Sequence, residues 1–196
     1  MKKLPTNLLI GGILVFIVLF TAALSLIWTP HDHALMNISE KFHQPNNIYL
    51  LGTDQLGRDI LSQLMAASRN SMAVALIAVL LGGSIGTLLG LLASTIGGWI
   101  EELVMRFADI GFAFPALLFA IMLAAVFGPS LTNAILAIAF INIPIFARIA
   151  RASANQIWNL DFVTASKAAG MGRVTITFSH ILPNILAPII VQATIE

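Results

Sequence analysis

The sequence predicts an all-α polytopic membrane protein, and three observations carry that expectation. Hydrophobic residues make up 58% of the 196 residues and charged residues 10%, against roughly 25% charged in a soluble domain. The apolar residues gather into runs of spanning length, and a helix crossing lipid needs ~20 of them. The charged residues fall between those runs, so a surface facing lipid accounts for the mean hydropathy of +0.93.

The first run, residues 8–28, is uncharged. Lys2 and Lys3 precede it as they would a signal peptide. The run exceeds the ~7–15 residues of a signal core, and no cleavage site leading into a soluble domain follows. It is read as a retained span. Residues 29–71 form a long polar loop with three of the four histidines, His31, His33 and His43. The second span, residues 72–99, places Gly82, Gly86, Gly90, Ser94 and Gly98 at a spacing of four. Such a stripe lets a second helix approach closely. Packing inside the bundle is favoured over contact with another subunit or a pore wall.

A charged turn with Glu101, Glu102, Arg106 and Asp109 leads into the third span, residues 103–127. Arg106 and Asp109 stand three apart and are expected to pair. Gly128-Pro129-Ser130 turns the chain into the fourth span, residues 131–149, which Pro144 is expected to kink. A polar island follows at 150–184. A fifth run opens at Ile185 and is still apolar at Glu196, so it is expected to be an incomplete span, 185–196.

Lys and Arg placement sets the orientation. With the N-terminus in the cytoplasm, Lys2, Lys3, Arg106, Arg148, Arg151, Lys167 and Arg173 lie inside, and Lys41, Arg58 and Arg69 outside. The loop at 29–71 is then extracytoplasmic and the island at 150–184 cytoplasmic.

Several chemistries are excluded. The chain has no cysteine, hence no disulfide, thiolate metal site or Cys nucleophile. No lysine lies between Lys41 and Lys167, so no phosphate-cradling Walker loop occurs there. The chain is not expected to be an enzyme, to hold a cofactor of its own or to bind nucleic acid. The span cores lack the ionisable groups that proton- and ion-coupled carriers keep at membrane depth. That argues for a conduit whose energy arrives from elsewhere. Ser84, Thr87, Asn133 and Asn142 are the neutral polar candidates for a pathway.

The island, polar and lying between apolar runs, is the expected handle for a soluble partner. Asp161 is expected to cap a helix starting at Phe162. Phe162, Ala165 and Ala169 share one face of it, and Gly170 is its stop. Arg173 to Ile181 is expected to form a second helix before Pro183. In the outer loop, Thr53 or Asp54 is expected to cap a helix, with Asp54 and Arg58 paired across one turn. His31 and His33, with Asp32 and His43, have ligand types that suit nickel or zinc. Their spacing of two and the loop's lack of scaffold make a solvated loop the preferred reading.

Two blocks resemble a known family. Thr164-Ala165-Ser166, Gly170 and Leu182-Pro183 stand at the positions of the Glu-Ala-Ala loop in permease subunits of ATP-binding-cassette importers. That loop reads Glu-Ala-Ala, three residues, Gly, nine residues, Ile-x-Leu-Pro. Thr164 replaces the Glu, Ser166 the second Ala, and His180 the Ile. Leu51-Gly52-Thr53-Asp54-Gln55-Leu56-Gly57-Arg58-Asp59, with Ser62 and Arg69-Asn70-Ser71, resembles the stretch before the second helix in the dipeptide, oligopeptide and nickel branch. Met105-Arg106, Asp109 and Phe114-Pro115 resemble its third helix. The resemblance covers nearly the whole chain.

The resemblance implies a permease subunit in a bacterial inner membrane. Its partners would be a second permease subunit, two cytoplasmic ATP-binding subunits and an extracytoplasmic solute-binding protein. Those ATPases would bind ATP and Mg, and dock on Thr164, Ala165, Ser166, Gly170, Leu182 and Pro183. Gly52, Thr53, Asp54, Gly57, Arg58 and Asp59 would form the outer motif, for which a structural role is favoured over solute contact. The family usually has six spans, so four spans and the start of a fifth imply a C-terminally truncated chain. Peptides moved by alternating access are the expected cargo. Nickel or another metal chelate, and a non-transporting remnant, are the alternatives.

Overall fold

The structure, a computed structural model, describes residues 6–196, so Lys2 and Lys3 of the orientation argument lie outside the described residues. The regular elements of the described residues are helices, and the only bridge of β type among those residues joins Thr53 to Asp59. The contacts form two units, one ending at Ala73 and the other Val74–Glu196.

In the first unit, helix α1 spans Thr6–Leu24 and a turn to Trp28 follows, so the helix ends before the expected residue 28. Its apolar side chains, from Leu8 to Phe20, are exposed as lipid-facing residues are. A 3-10 turn, Ile38–Glu40, marks the loop. Helix α2, Ile60–Ile96, starts here, twelve residues before the expected span at 72. Asp59 supplies the reason. Its Oδ2 accepts the Ser62 backbone N–H at 3.1 Å, an N-cap that neither Thr53 nor Asp54 provides.

In the second unit, α2 ends at Gly97-Gly98, both at positive φ, which only glycine adopts without strain. Helix α3, Gly98–Ala113, and helix α4, Ala116–Phe127, meet at an 80° bend where one continuous span, 103–127, was expected. Pro115 is the cause. It pushes Phe114 out of the helical region, to φ −87 and ψ 122. Helix α5, Leu131–Trp158, carries Pro144 inside it and runs past the expected end at residue 149. Ser130 caps it by accepting the Asn133 N–H at 3.1 Å.

Helix α6 is Asp161–Ala168, α7 is Arg173–Ile176, and α8 is Leu182–Ala193. A π turn at Thr177–Ile181 joins the last two, giving one helical stretch Arg173–Ala193 that is long and apolar enough to cross a membrane. This corrects two expectations: Pro183 does not end a helix, and the run at 185–196 is the tail of a longer one. Buried Ile176, Ile181 and Ile185 explain the π turn. A spacing of five would rotate Ile181 off the buried face of an α-helix, and the wider turn restores it. Ile60–Ile96 and Leu131–Trp158 are likewise long enough to cross, and the bent α3–α4 pair is a further span if taken together.

The glycine stripe packs α2 on α5. A Cβ at Gly82, Gly86 or Gly90 would overlap the carbonyl oxygen of Ala139, Ile143 or Ala147 in turn. The spacing of four on both helices keeps the contact in register. Gly98 is not part of it: α2 has ended, and nothing lies within 4 Å of its Cβ position. Arg106 and Asp109 do not pair. Arg106 bonds Glu102 one turn away, and Asp109 takes Arg148 of α5 at 2.5 Å. Asp109 and Arg148 face each other across two packed helices, a non-local geometry that spacing does not reveal.

Candidate functional site

Helix α6 is seated by one side chain. Val163 is fully buried in a cluster with Leu91 of α2, Ala150 and Ala154 of α5, and Ile176, Ile181 and Ile185. Ala150 and Ala154 are one turn apart, and their small side chains leave room for the isoleucines. Sequence reasoning missed Val163, whose neighbours Phe162 and Thr164 both face water.

Because Val163 points inward, Phe162, Ala165 and Ala169 point outward, as one exposed face; Phe162 is 43% exposed. Thr164 and Gly170 are exposed too, and Ser166 is half-buried, its hydroxyl donating to the Phe162 carbonyl at 2.8 Å. Leu182 is half-buried and Pro183 exposed, but both lie on the far side of the π turn in α8. The structure thus groups Thr164, Ala165, Ser166 and Gly170 on one short helix and sets Leu182 and Pro183 apart. Asp161 is the first helical residue rather than the cap, and Leu160 precedes it without a side-chain bond. Asp161's charge still favours a helix N-terminus.

Gly170 ends α6 as expected. Its φ is +85, its N–H donates to Lys167 O at 3.0 Å, and the Met171 N–H donates to Ser166 O at 3.1 Å. These two bonds form a Schellman motif, which needs a left-handed residue at this position. His180 packs edge-on to Phe162, ring centroids 6.0 Å apart.

The outer motif organises its own loop. Asp54 Oδ1 accepts the N–H groups of Leu56 and Arg58 at 2.8 and 2.9 Å. Its Oδ2 takes the Arg58 guanidinium at 2.7 Å and Gln63 at 3.1 Å. The Arg58 N–H is the chief reason this carboxyl lies well below the usual range, against a smaller opposing effect of burial. Gly57 stands at φ +73, where a Cβ would collide with the Asn37 carbonyl, and Gly52 at φ +76. Thr53 Oγ1 donates to Glu40 O and accepts from the His43 N–H.

Asp59 is almost wholly buried. Burial raises its pKa, but hydrogen bonds from Ser62 and His31 outweigh it and hold the carboxyl below its ordinary value. Ser62 Oγ donates to Asp59 Oδ2 at 2.6 Å and accepts the His31 N–H at 2.9 Å. His31 Nδ1 lies 3.4 Å from the same carboxylate oxygen, and His33 approaches only Asp32, at 3.9 Å. Among the described residues no three His, Cys, Asp or Glu gather as a metal site would require. Of the pathway candidates, Thr87 and Asn142 are buried, with the Thr87 hydroxyl and the Asn142 amide nitrogen unpartnered. Ser84 faces outward from α2, and Asn133 serves the start of α5 by donating to Gly128 O at 2.7 Å.

Apolar helices of spanning length, with a short polar helix seated on their core, define an integral membrane protein of several spans. Residues 85–196 match the family described as binding-protein-dependent transport system inner membrane component, and the chain belongs to it. It is 41% identical over 196 residues to the dipeptide transport system permease protein DppC of Alkalihalophilus pseudofirmus, covering 99% of this chain and 64% of the relative. Against the protein of that name in Haemophilus influenzae it is 42% identical over 192 residues, 95% of this chain and 65% of the relative. The glutathione transport system permease protein GsiD of Pectobacterium atrosepticum is 40% identical over 147 residues, 75% of this chain and 49% of the relative. The chain spans a little under two thirds of the length of the first two of these relatives.

Proposed function

We propose that this chain is a permease subunit of an ATP-driven importer of short peptides. It has no ATP site of its own, and two cytoplasmic ATP-binding subunits drive it. A second permease subunit completes the pathway, and an extracytoplasmic binding protein delivers the cargo. The N-terminus is cytoplasmic. The observation that carries the reading is helix α6, exposed along Phe162, Ala165 and Ala169 and rooted through Val163 in the cluster that joins α2, α5 and α8. A push on that face reaches three helices through one packed core, as alternating access requires. Peptide cargo rests on the names of the relatives.

Residues 1–196 contain no cysteine, and any in the remainder of the full-length protein is first replaced by serine. Ala165→Cys and Ala169→Cys, each in the full-length protein in its native membrane, are treated with a short thiol-to-amine crosslinker. Both are expected to capture an ATP-binding subunit, whereas Leu186→Cys in α8 captures none. Failure of both α6 positions to reach such a subunit would remove the docking assignment. Dipeptide uptake lost on deletion of the gene and restored by the full-length chain tests the cargo.

A further inference from the structure

Five described cations belong to the face of the membrane assigned to the cytoplasm, and three are matched within the chain. Arg106 has Glu102, Arg148 has Asp109, and Arg151 has Glu101. Among the described residues Lys167 and Arg173 have no carboxylate within ion-pair distance. Both line one cavity of about 200 Å³, with Ser94, Thr95, Trp158 and Asn159.

The walls of that cavity are fixed. Arg173 Nη1 donates to the carbonyl oxygens of Thr95 and Ile96 at 3.2 Å each, which pins the guanidinium at the C-terminal end of α2. Lys167 Nζ stands 4.9 Å from the centroid of the Trp158 ring. The indole N–H of Trp158 is buried and has no acceptor. Two cations without a carboxylate partner suit an anion, because charge-assisted hydrogen bonds are the stronger class.

Thr95 also lines a second, apolar groove of about 500 Å³, with Leu88, Leu92, Ile96, Val174 and Phe178 among its walls. Those five apolar side chains are exposed. The cationic cavity and the apolar groove therefore meet at one residue. They meet where α2 ends and the stretch Arg173–Ala193 begins. A carboxylate of a neighbouring protein would fill the cavity and leave the groove bare. A ligand with an anionic head and an apolar tail fills both.

We propose that this cavity and groove bind one anionic phospholipid, its phosphate against Lys167 and Arg173 and an acyl chain along α2. The lipid then bridges α2, α6 and α7 beside the exposed face of α6. A basic pocket between membrane helices is a general way of holding such headgroups.

The full-length protein, with the subunits that co-purify, is placed in phosphatidylcholine nanodiscs containing a minor fraction of phosphatidylglycerol. Lipid retained after transfer to detergent is read by native mass spectrometry. Phosphatidylglycerol is expected to be retained in preference to phosphatidylcholine. Lys167→Gln should lower that preference about fivefold, the factor for one cation near an anionic surface, and Lys167→Arg should restore it. Lys167 is exposed, so the substitution leaves the core intact. An unchanged preference in Lys167→Gln overturns the proposal. So does full displacement of the lipid by millimolar inorganic phosphate, which would make the cavity a simple anion site. Retention of the lipid against phosphate supports it.

Discussion

The hydroxyls of Thr95 and Thr177 meet at 2.7 Å, both residues buried, and tie the last turn of α2 to the π turn. The direction of the bond follows from its neighbour. Thr177 Oγ1 donates its one hydrogen to the Arg173 carbonyl at 2.9 Å, so Thr95 is the donor between them. The chain Thr95 to Thr177 to Arg173, with Arg173 returning to the α2 carbonyls, closes a polar ring beside the cluster that holds α6.

Breaking that ring should be more costly at one end. Thr177→Val strips the acceptor from Thr95 and also loses the bond to Arg173. Thr95→Val removes one donor only. Thr177→Val is therefore expected to destabilise more. A double-mutant cycle should return a coupling near ~0.6 kcal/mol, the average for hydrogen bonds between membrane helices. Unfolding in mixed micelles measures it, and strict additivity would mean the hydroxyls do not interact.

The α2–α5 contact separates glycines that look alike in sequence. Gly86→Ala drives a Cβ onto the Ile143 carbonyl and Phe146, whereas Gly83→Ala meets only the Phe146 ring, at 3.4 Å, and Gly11→Ala meets nothing within 4 Å. Backbone cannot yield as a side chain does. Gly86→Ala should cost ~1–3 kcal/mol, the range for an overpacked core, with Gly83→Ala smaller and Gly11→Ala near zero. Heat-inactivation midpoints of the three variants give the order directly.

At Gly170 the penalty is conformational. Its φ of +85 leaves a Cβ in open space, with nothing within 4 Å, so Gly170→Ala pays only the left-handed cost of ~1–2 kcal/mol. Gly172→Ala, at φ −68, should be near neutral. Under the proposed function, Gly170→Val is expected to raise the ATP hydrolysed per peptide imported, because the end of α6 no longer holds its position. Uptake and hydrolysis measured together on one preparation check this, and an unchanged ratio would show that α6 does not couple them.

The fold class, the glycine stripe and the Gly170 stop were legible in the sequence because each is local or periodic. The break at Phe114-Pro115 was hidden by hydropathy, which stays high through residues that the backbone cannot keep helical. Pro183 looked like a terminator because the rule for proline assumes α geometry. The π turn before it, required by isoleucines five apart, changes that geometry. Asp59 lost the cap assignment to Thr53 and Asp54 because all three are good capping types, and only the fold shows which one faces Ser62. In the island the exposed face of α6 was readable, but Val163, which seats it, shares its spacing with nothing in its own helix.

The outer loop carries a pH signature whose sign is fixed by Asp54. Its carboxyl is held well below the usual range in the folded loop, first by the Arg58 N–H, while in an unfolded chain an Asp titrates near ~3.9. A depressed folded pKa contributes stability that is fully present above the unfolded value and is lost as pH falls toward the folded one. Protection of the loop amides, Leu56 and Arg58 above all, should therefore be flat from pH 7 to about 4, near the unfolded Asp value, and fall at more acid pH. Asp54→Asn keeps an oxygen for those two N–H groups but sets an amide against the Arg58 guanidinium. It should loosen the loop already at pH 7 and flatten the fall below pH 4. Hydrogen exchange at low pH, corrected for intrinsic rates, is the measurement. A fall of the same size in the Asn variant would assign the acid sensitivity to another carboxylate, with Asp59, also held below its ordinary value, the next to change.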